Sequence, residues 1–313
     1  MIGYVVQRFL AAVPVLLLVA IFSFLLLQLI PGDPALVMLG EDASPEQIQA
    51  LRESLKLDRP LWEQLTAWLG GLLTGDLGTS IVFQRPVLDL VLERLPLTVW
   101  LGLLSLGISI PFGVGLGVLA AIYRGTVVDS AVGILALIGL SLPNFWIGLM
   151  GIYFFSVMLG WVPPIGNVSD RGFGTWVGSM ILPATVIGTA QMGLLARITR
   201  STMLDVLKLD YVRTARAKGV SEFRVVLKHA LRNALIPIVT VIGVMFSLLI
   251  AGAVIVETVF AIPGVGRLVV QSIVARDYPV VQGALLLIAG AFVIINLLVD
   301  LAYVYLDPRV NYE

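Results

Sequence analysis

Apolar positions dominate this chain in long unbroken runs, and its polar positions gather in blocks between them. Residues 9–30 carry no charge over a length that crosses a bilayer as a helix. Similar runs cover 95–123, 129–159, 177–196, 236–256 and 280–305, so the pattern predicts six transmembrane helices. A signal peptide would have a shorter apolar core followed by a small-residue cleavage site. Residues 9–30 show neither and are read as an uncleaved first span. Residues 1–8 form a short head and 306–313 a short tail.

Between the first two spans, residues 31–94 form a polar insert with three helical signatures. Ser44-Pro-Glu-Gln47 has the spacing of a capping box, with proline at the first helical position, and Ile48, Leu51 and Leu55 follow on one face. Leu61, Leu65, Trp68, Leu69 and Leu72 make a second amphipathic stretch. Leu88, Val91, Leu92 and Leu95 make a third, opened by Pro86. The insert reads either as a docking surface for an external partner or as a lid packed on the helices. The third span is interrupted at Leu142-Pro-Asn-Phe-Trp146, where proline breaks the helix. Residues 257–279 are too short and too polar to cross twice, and predict a turn and a short helix.

The block at 197–235 is different in kind. Nine Lys or Arg stand there against three acids, and basic loops between membrane helices remain on the cytoplasmic side. With six spans, both termini are then cytoplasmic. The inside carries a net charge of plus five and the outside minus five, which recovers the zero total. Phe223, Val226, Leu227, Ala230, Leu231 and Ala234 recur at the spacing of one helix face, while Arg224, Lys228 and Arg232 form a charged stripe. Ser221 is placed to cap that helix, and Gly219 to turn the chain before it. Two short helices around Gly219 serve either as a lever for a cytoplasmic partner or as a surface helix held by anionic headgroups.

Composition narrows the chemistry. Of 313 residues 58% are hydrophobic and 13% charged, with mean hydropathy +1.00, whereas soluble domains carry about a quarter charged residues. Cysteine is absent and His229 is the sole histidine, which excludes disulfides and thiolate metal sites and argues against catalytic triads. The motif Gly115-Leu-Gly117-Val-Leu-Ala120 lacks the strand and the acidic partner of a dinucleotide fingerprint, and reads as close helix packing. No phosphate-cradling G-x-x-x-x-G-K-[ST] occurs, so energy from ATP must come from another polypeptide. Charged residues are nearly missing from the spans, with only Asp300 toward one end, so an ion-coupled carrier lacks its relay. Ser141, Asn144, Gln191 and Ser247 are polar groups within spans, fit either for a substrate path or for interhelical hydrogen bonds.

Tyr211-Val-Arg-Thr-Ala-Arg-Ala-Lys-Gly219, followed by His229-Ala-Leu-Arg-Asn-Ala-Leu-Ile-Pro237, resembles the cytoplasmic loop of membrane subunits of bacterial ABC importers. The likeness is closest to the B-type permeases of the dipeptide/oligopeptide/nickel group. Of the general importer pattern E-A-A-x-x-x-G only Ala215 and Gly219 match, with Arg213 and Thr214 in place of its Glu and first Ala. Landmarks elsewhere are similar to that group's, in its order: Leu29-Ile-Pro-Gly-Asp-Pro34, Gly75-Asp-Leu-Gly78, Glu93-Arg-Leu-Pro96, Glu257-Thr-Val-Phe260 and Leu306-Asp-Pro-Arg309 among them.

The resemblance implies an all-α integral membrane protein of the type I ABC importer permease fold, in the bacterial inner membrane. It has an extracytoplasmic helical insert after helix 1 and a coupling loop between helices 4 and 5. Tyr211, Arg213, Ala215, Arg216, Lys218, Gly219 and Ser221 are then expected to contact an ATPase subunit. Expected partners are a second, C-type permease, two ABC ATPases that hold ATP and Mg, an extracytoplasmic binding protein and the bilayer, but no nucleic acid. No catalytic residue, metal or cofactor is expected on this chain. The implied cargo is di- or oligopeptides, with nickel complexes or glutathione as alternatives. A homo-oligomeric secondary carrier or channel is the competing class.

Overall fold

The computed structural model describes residues 2–28, 34–39, 43–54, 57–162 and 173–306, and these are helical almost throughout. In chain order they form α1 (Ile2–Gln28), α2 (Pro34–Leu39), α3 (Pro45–Ser54), α4 (Leu61–Leu73) and α5 (Val87–Ile122). Next come α6 (Val127–Ser141), α7 (Asn144–Gly151), a π-helical turn (Ile152–Met158) and α8 (Phe173–Val206). Then follow α9 (Asp210–Ala217), α10 (Glu222–Arg224), a second π-helical stretch (Val225–Leu231), α11 (Arg232–Val259), α12 (Val265–Val274) and α13 (Tyr278–Leu306). No strand occurs among the described residues; a lone bridge joins Thr79 and Pro86.

Among the described residues, Val87–Ile122, Val177–Val206 and Tyr278–Leu297 are long and apolar enough to cross a membrane. The number rises to five if two bent pairs each count as one span. One of these pairs, Val127–Ser141 with Asn144–Met158, bends by 101° at Leu142-Pro143. Proline there supplies no amide for the helical ladder, and Leu142 is extended. α1 contributes a shorter apolar stretch, Leu10–Leu25.

The chain divides into two compact units. One comprises Met1–Pro96 with Arg267–Leu297. Its insert opens with a formed capping box: the Gln47 amide donates to Ser44 Oγ (3.3 Å) and the Ser44 amide to Gln47 Oε1 (3.0 Å). α3 half-buries Ile48 and Leu51, while Leu55 lies outside the described residues. α4 buries no residue fully, and Leu61 of its expected face is exposed; Trp68 stacks on Phe24 of α1 at 6.2 Å. On the first turns of α5 the buried face is Val87, Leu90 and Val91, one step round from the expected face, and Leu92 is exposed. Buried Asp277 gathers the 80–82 turn: Ser80 Oγ donates at 2.5 Å, and the amides of Ile81 and Val82 at 3.1 and 3.2 Å.

The other unit comprises Leu97–Gly266 with Leu298–Glu313. α8 is its axis. Met180, Leu182, Val186 and Ile187 pack with Leu101 and Leu106 of α5 and with Leu249, Ala253 and Val256 of α11. A second cluster joins Leu195 and Met203 of α8 to Val118, Ile238 and Met245. Small residues set the spacing. A Cβ on Gly117 would stand 2.6 Å from the Ala196 carbonyl oxygen, and one on Gly193 2.6 Å from that of Ala136. These glycines let backbones meet, the packing read from the Gly115–Gly117 motif, although Gly115 itself faces open space.

Candidate coupling surface

α9 has eight residues, too few to persist as an isolated helix, so its fold depends on what it packs against. Val212 is fully buried and Ala215 nearly so; with Val225, and half-buried Leu207 and Val220, they form a small apolar cluster. Every third or fourth residue of the helix faces this cluster, which turns Tyr211, Arg213, Arg216 and Lys218 outward. Leu209 precedes the helix in extended conformation.

α9 closes with a Schellman motif. The Val220 amide donates to the Ala215 carbonyl (3.2 Å) and the Gly219 amide to that of Arg216 (2.9 Å). Gly219 holds φ at +79°, and no atom lies within 4 Å of where a Cβ would stand. Its requirement is therefore left-handed backbone rather than close approach. Across this turn Arg216 reaches Glu222 with Nε at 3.1 Å and its terminal nitrogen at 2.6 Å. Hydrogen bonds from that guanidinium hold the Glu222 carboxyl below the ordinary carboxylate range, and the carboxylate raises Arg216 in return.

A second tie comes from Tyr211, whose hydroxyl donates to the His229 carbonyl (3.1 Å) and accepts from Asn233 Nδ2 (2.7 Å). Arg213 lies 3.5 Å from Asp210 with both side chains exposed, a pair of little energetic weight.

Two expectations for this block are corrected. Ser221 stands at the head of α10, but its hydroxyl makes no capping hydrogen bond. Phe223 does not join the face of Val226 and Ala230; it is 74% exposed, and Leu227 is exposed as well. The buried set is Val225, Val226, Ala230 and Ala234. The π-helical stretch Val225–Leu231 explains this, because its wider turn breaks the 3.6-residue period on which the expected face was drawn. The outward surface thus combines Arg216, Lys218, Arg224 and Lys228 with Tyr211 and an exposed Phe223.

The four polar residues expected within spans are dispersed over four helices. Ser141 is exposed on the last turn of α6, and Asn144 opens α7 half-buried. The Asn144 amide lies 3.8 Å from the place of a Cβ on Gly252 of α11. Gln191 of α8 is buried, its Oε1 without a hydrogen-bond partner among the described residues. Ser247 belongs to α11, and its side chain lies outside the described residues.

Sequence reasoning overlooked two polar anchors. Glu257 is fully buried in the last turn of α11, where Thr98 donates to it at 2.6 Å and the Val265 amide in turn donates to Thr98 at 2.9 Å. The glycine backbone at Gly264 and Gly266 closes directly over the carboxylate. Asp129 takes Arg200 Nε at 2.5 Å, its terminal nitrogen at 2.7 Å, and the Gly125 amide at 3.0 Å. Neither pairing has a sequence signature, since its partners lie 159 and 71 residues apart.

The family described as binding-protein-dependent transport system inner membrane component matches residues 113–312, and its N-terminal companion matches residues 1–102. This chain belongs to that family. The permease is 49% identical to a putative peptide transport system permease protein of Brucella abortus (strain 2308) over the full length of both. It is 46% identical to a probable peptide ABC transporter permease protein of Sinorhizobium fredii, over 99% of each chain. Against the glutathione transport system permease protein of Escherichia coli (strain K12) it is 42% identical over the full length of both. Among solved structures, an inward-facing MetNI methionine ABC transporter chain aligns with a TM-score of 0.54 at 20% identity, covering 71% of the permease and 96% of that chain. That likeness shows the fold, the type I ABC importer permease. The chain is a multi-pass permease subunit of the inner membrane.

Proposed function

We propose that this permease forms half of the translocation pathway of an ATP-driven, binding-protein-dependent importer of di- or oligopeptides. Relatives at 49% and 46% identity, named as peptide transport permeases, support the cargo. Glutathione is the second reading, supported by the relative at 42%. In this proposal α1 supplies the sixth span, both termini are cytoplasmic, and the insert at 31–94 is extracytoplasmic. A second, C-type permease completes the pathway, and two ABC ATPases hold ATP and Mg. An extracytoplasmic binding protein delivers the cargo.

The observation that carries the mechanism is α9, a short helix seated on its own apolar cluster with a basic and aromatic face outward. Tyr211, Arg213, Arg216, Lys218 and Ser221 present the contact to the ATPase, while Ala215 and Gly219 hold the helix and its turn. Closure of the ATPases moves α9, and the packing of Val226, Ala230 and Ala234 passes that motion into α8 and α11. Asn144 and Gln191 are the better placed path residues, one beside the 101° bend and one buried on the axial helix. The chain itself performs no hydrolysis.

The test is reconstitution. Tagged permease should copurify with ATPases and a different permease. The assembly in liposomes should hydrolyse ATP faster with binding protein and a di- or oligopeptide. Peptide uptake by the purified chain alone, with no nucleotide-hydrolysing partner, overturns the proposal.

A further inference from the structure

α6 and α8 meet closely through small residues, and an open groove runs beside that seam. A Cβ on Gly139 would stand 2.9 Å from the Thr189 carbonyl oxygen, and one on Gly193 2.6 Å from that of Ala136. Nearer the start of α6 buried Val132 packs with Ala196 of α8 and Ala120 of α5, and the Asp129–Arg200 ion pair joins the helices at the rim. Alongside these contacts, between residues 129–140 of α6 and 196–200 of α8, lies a groove of about 570 Å³. Val132, Gly133, Leu137 and Leu140 form its apolar wall, and Asp129, Arg197 and Arg200 its mouth.

The charges at the mouth do not cancel. Arg124 lies close enough to act on the Asp129 carboxylate together with Arg200. Arg197 is exposed and has no carboxylate within ion-pair distance among the described residues. Two guanidinium groups, Arg197 and Arg200, thus stand at the mouth with the single carboxylate of Asp129. The wall is the opposite: Ile134 and Leu137 are 58% and 57% exposed, and beyond Ser130 near the mouth no polar side chain among the described residues lines the groove to hold ordered water.

We propose that this groove binds one anionic phospholipid, with an acyl chain along Val132 to Leu140 and the phosphate on Arg197 beside Arg200. The occupant must be apolar for the length of the wall and negative at one end. A phospholipid is both, and arginine forks match phosphate oxygens. The Asp129–Arg200 pair holds Arg200 at the rim and leaves Arg197 the open cation. A zwitterionic lipid fills the wall equally well but gains less at the mouth. A helix of the partner permease fits the wall without using the surplus charge. The inference rests on α6 and α8 being membrane-embedded as proposed above, and is independent of the cargo.

The test uses the full chain, alone and in its assembly, in bilayers of zwitterionic lipid with a trace of phosphatidylglycerol carrying a photoreactive group in its acyl chain. Adducts mapped by mass spectrometry should concentrate on 132–140, and unlabelled phosphatidylglycerol should compete where phosphatidylcholine does not. Arg197→Gln should weaken competition about fivefold, the effect of one cation near an anionic headgroup. Gly133 has open space around it, so Gly133→Leu fills the groove and should remove the adducts while the chain still folds. Equal labelling of every lipid-facing helix, or no response to either substitution, overturns the proposal while leaving membrane embedding intact. Loss of the adducts on assembly, with cross-links from 132–140 to the partner permease, overturns it in favour of a protein interface.

Discussion

Val212 is the residue on which the coupling helix should turn. Val212→Ala removes two methyl groups from a fully buried position in a cluster of five side chains. Lost transfer energy and the residual cavity together cost about 2 kcal/mol. An eight-residue helix has no intrinsic stability to absorb that loss, so it falls on the docked state of α9. The undocked population should rise about 30-fold. Two readouts follow. Hydrogen exchange at the amides of 212–218 should accelerate by that factor, while the amides of α8 stay protected. In the reconstituted assembly, ATP hydrolysis should continue while peptide uptake per ATP falls. Arg213→Ala is the contrast, because its side chain is 71% exposed and its removal should alter partner affinity without changing exchange. Unchanged exchange in Val212→Ala, or faster exchange with undiminished uptake per ATP, would refute the view that this small core seats the lever.

Gly219→Ala should cost about 1–2 kcal/mol through its left-handed backbone alone, and Gly219→Asn should recover much of it, measured by exchange at 210–220. Ser221→Ala should change that exchange little, because the hydroxyl makes no capping bond. Gly193→Val should disrupt the α6–α8 contact by about 1–3 kcal/mol of overpacking, read as a lower melting temperature in detergent. The Arg216–Glu222 bridge should be stable at neutral pH and be lost only as pH falls through the lowered pKa of Glu222. The sign follows from the carboxylate: its folded value lies below the unfolded one, so the stabilisation is present above the unfolded value. Titration of the Glu222 carboxyl carbon by NMR should place its midpoint below that of Glu222 in Arg216→Gln.

The apolar runs, the break at Leu142-Pro143, the capping box at Ser44 and the basic block were legible in the sequence because each is a local pattern. Period, proline geometry and charge act within a few residues of where they are written. The family was legible for a related reason, since short motifs repeated at fixed intervals need no contact map.

Other features belonged to the tertiary structure alone. Phe223 looked buried on a 3.6-residue period, but a π-helical stretch after it changed the period and left the ring exposed. Glu257 looked like a loop acid; Thr98 and the glycine backbone of 264–266 make its buried carboxylate tenable. Gly117 and Gly193 admit a neighbouring helix, Gly115 admits nothing, and their spelling is identical. Apolarity and charge are properties of a residue, but burial is a property of a pair, and the second member of each pair lies far along the chain.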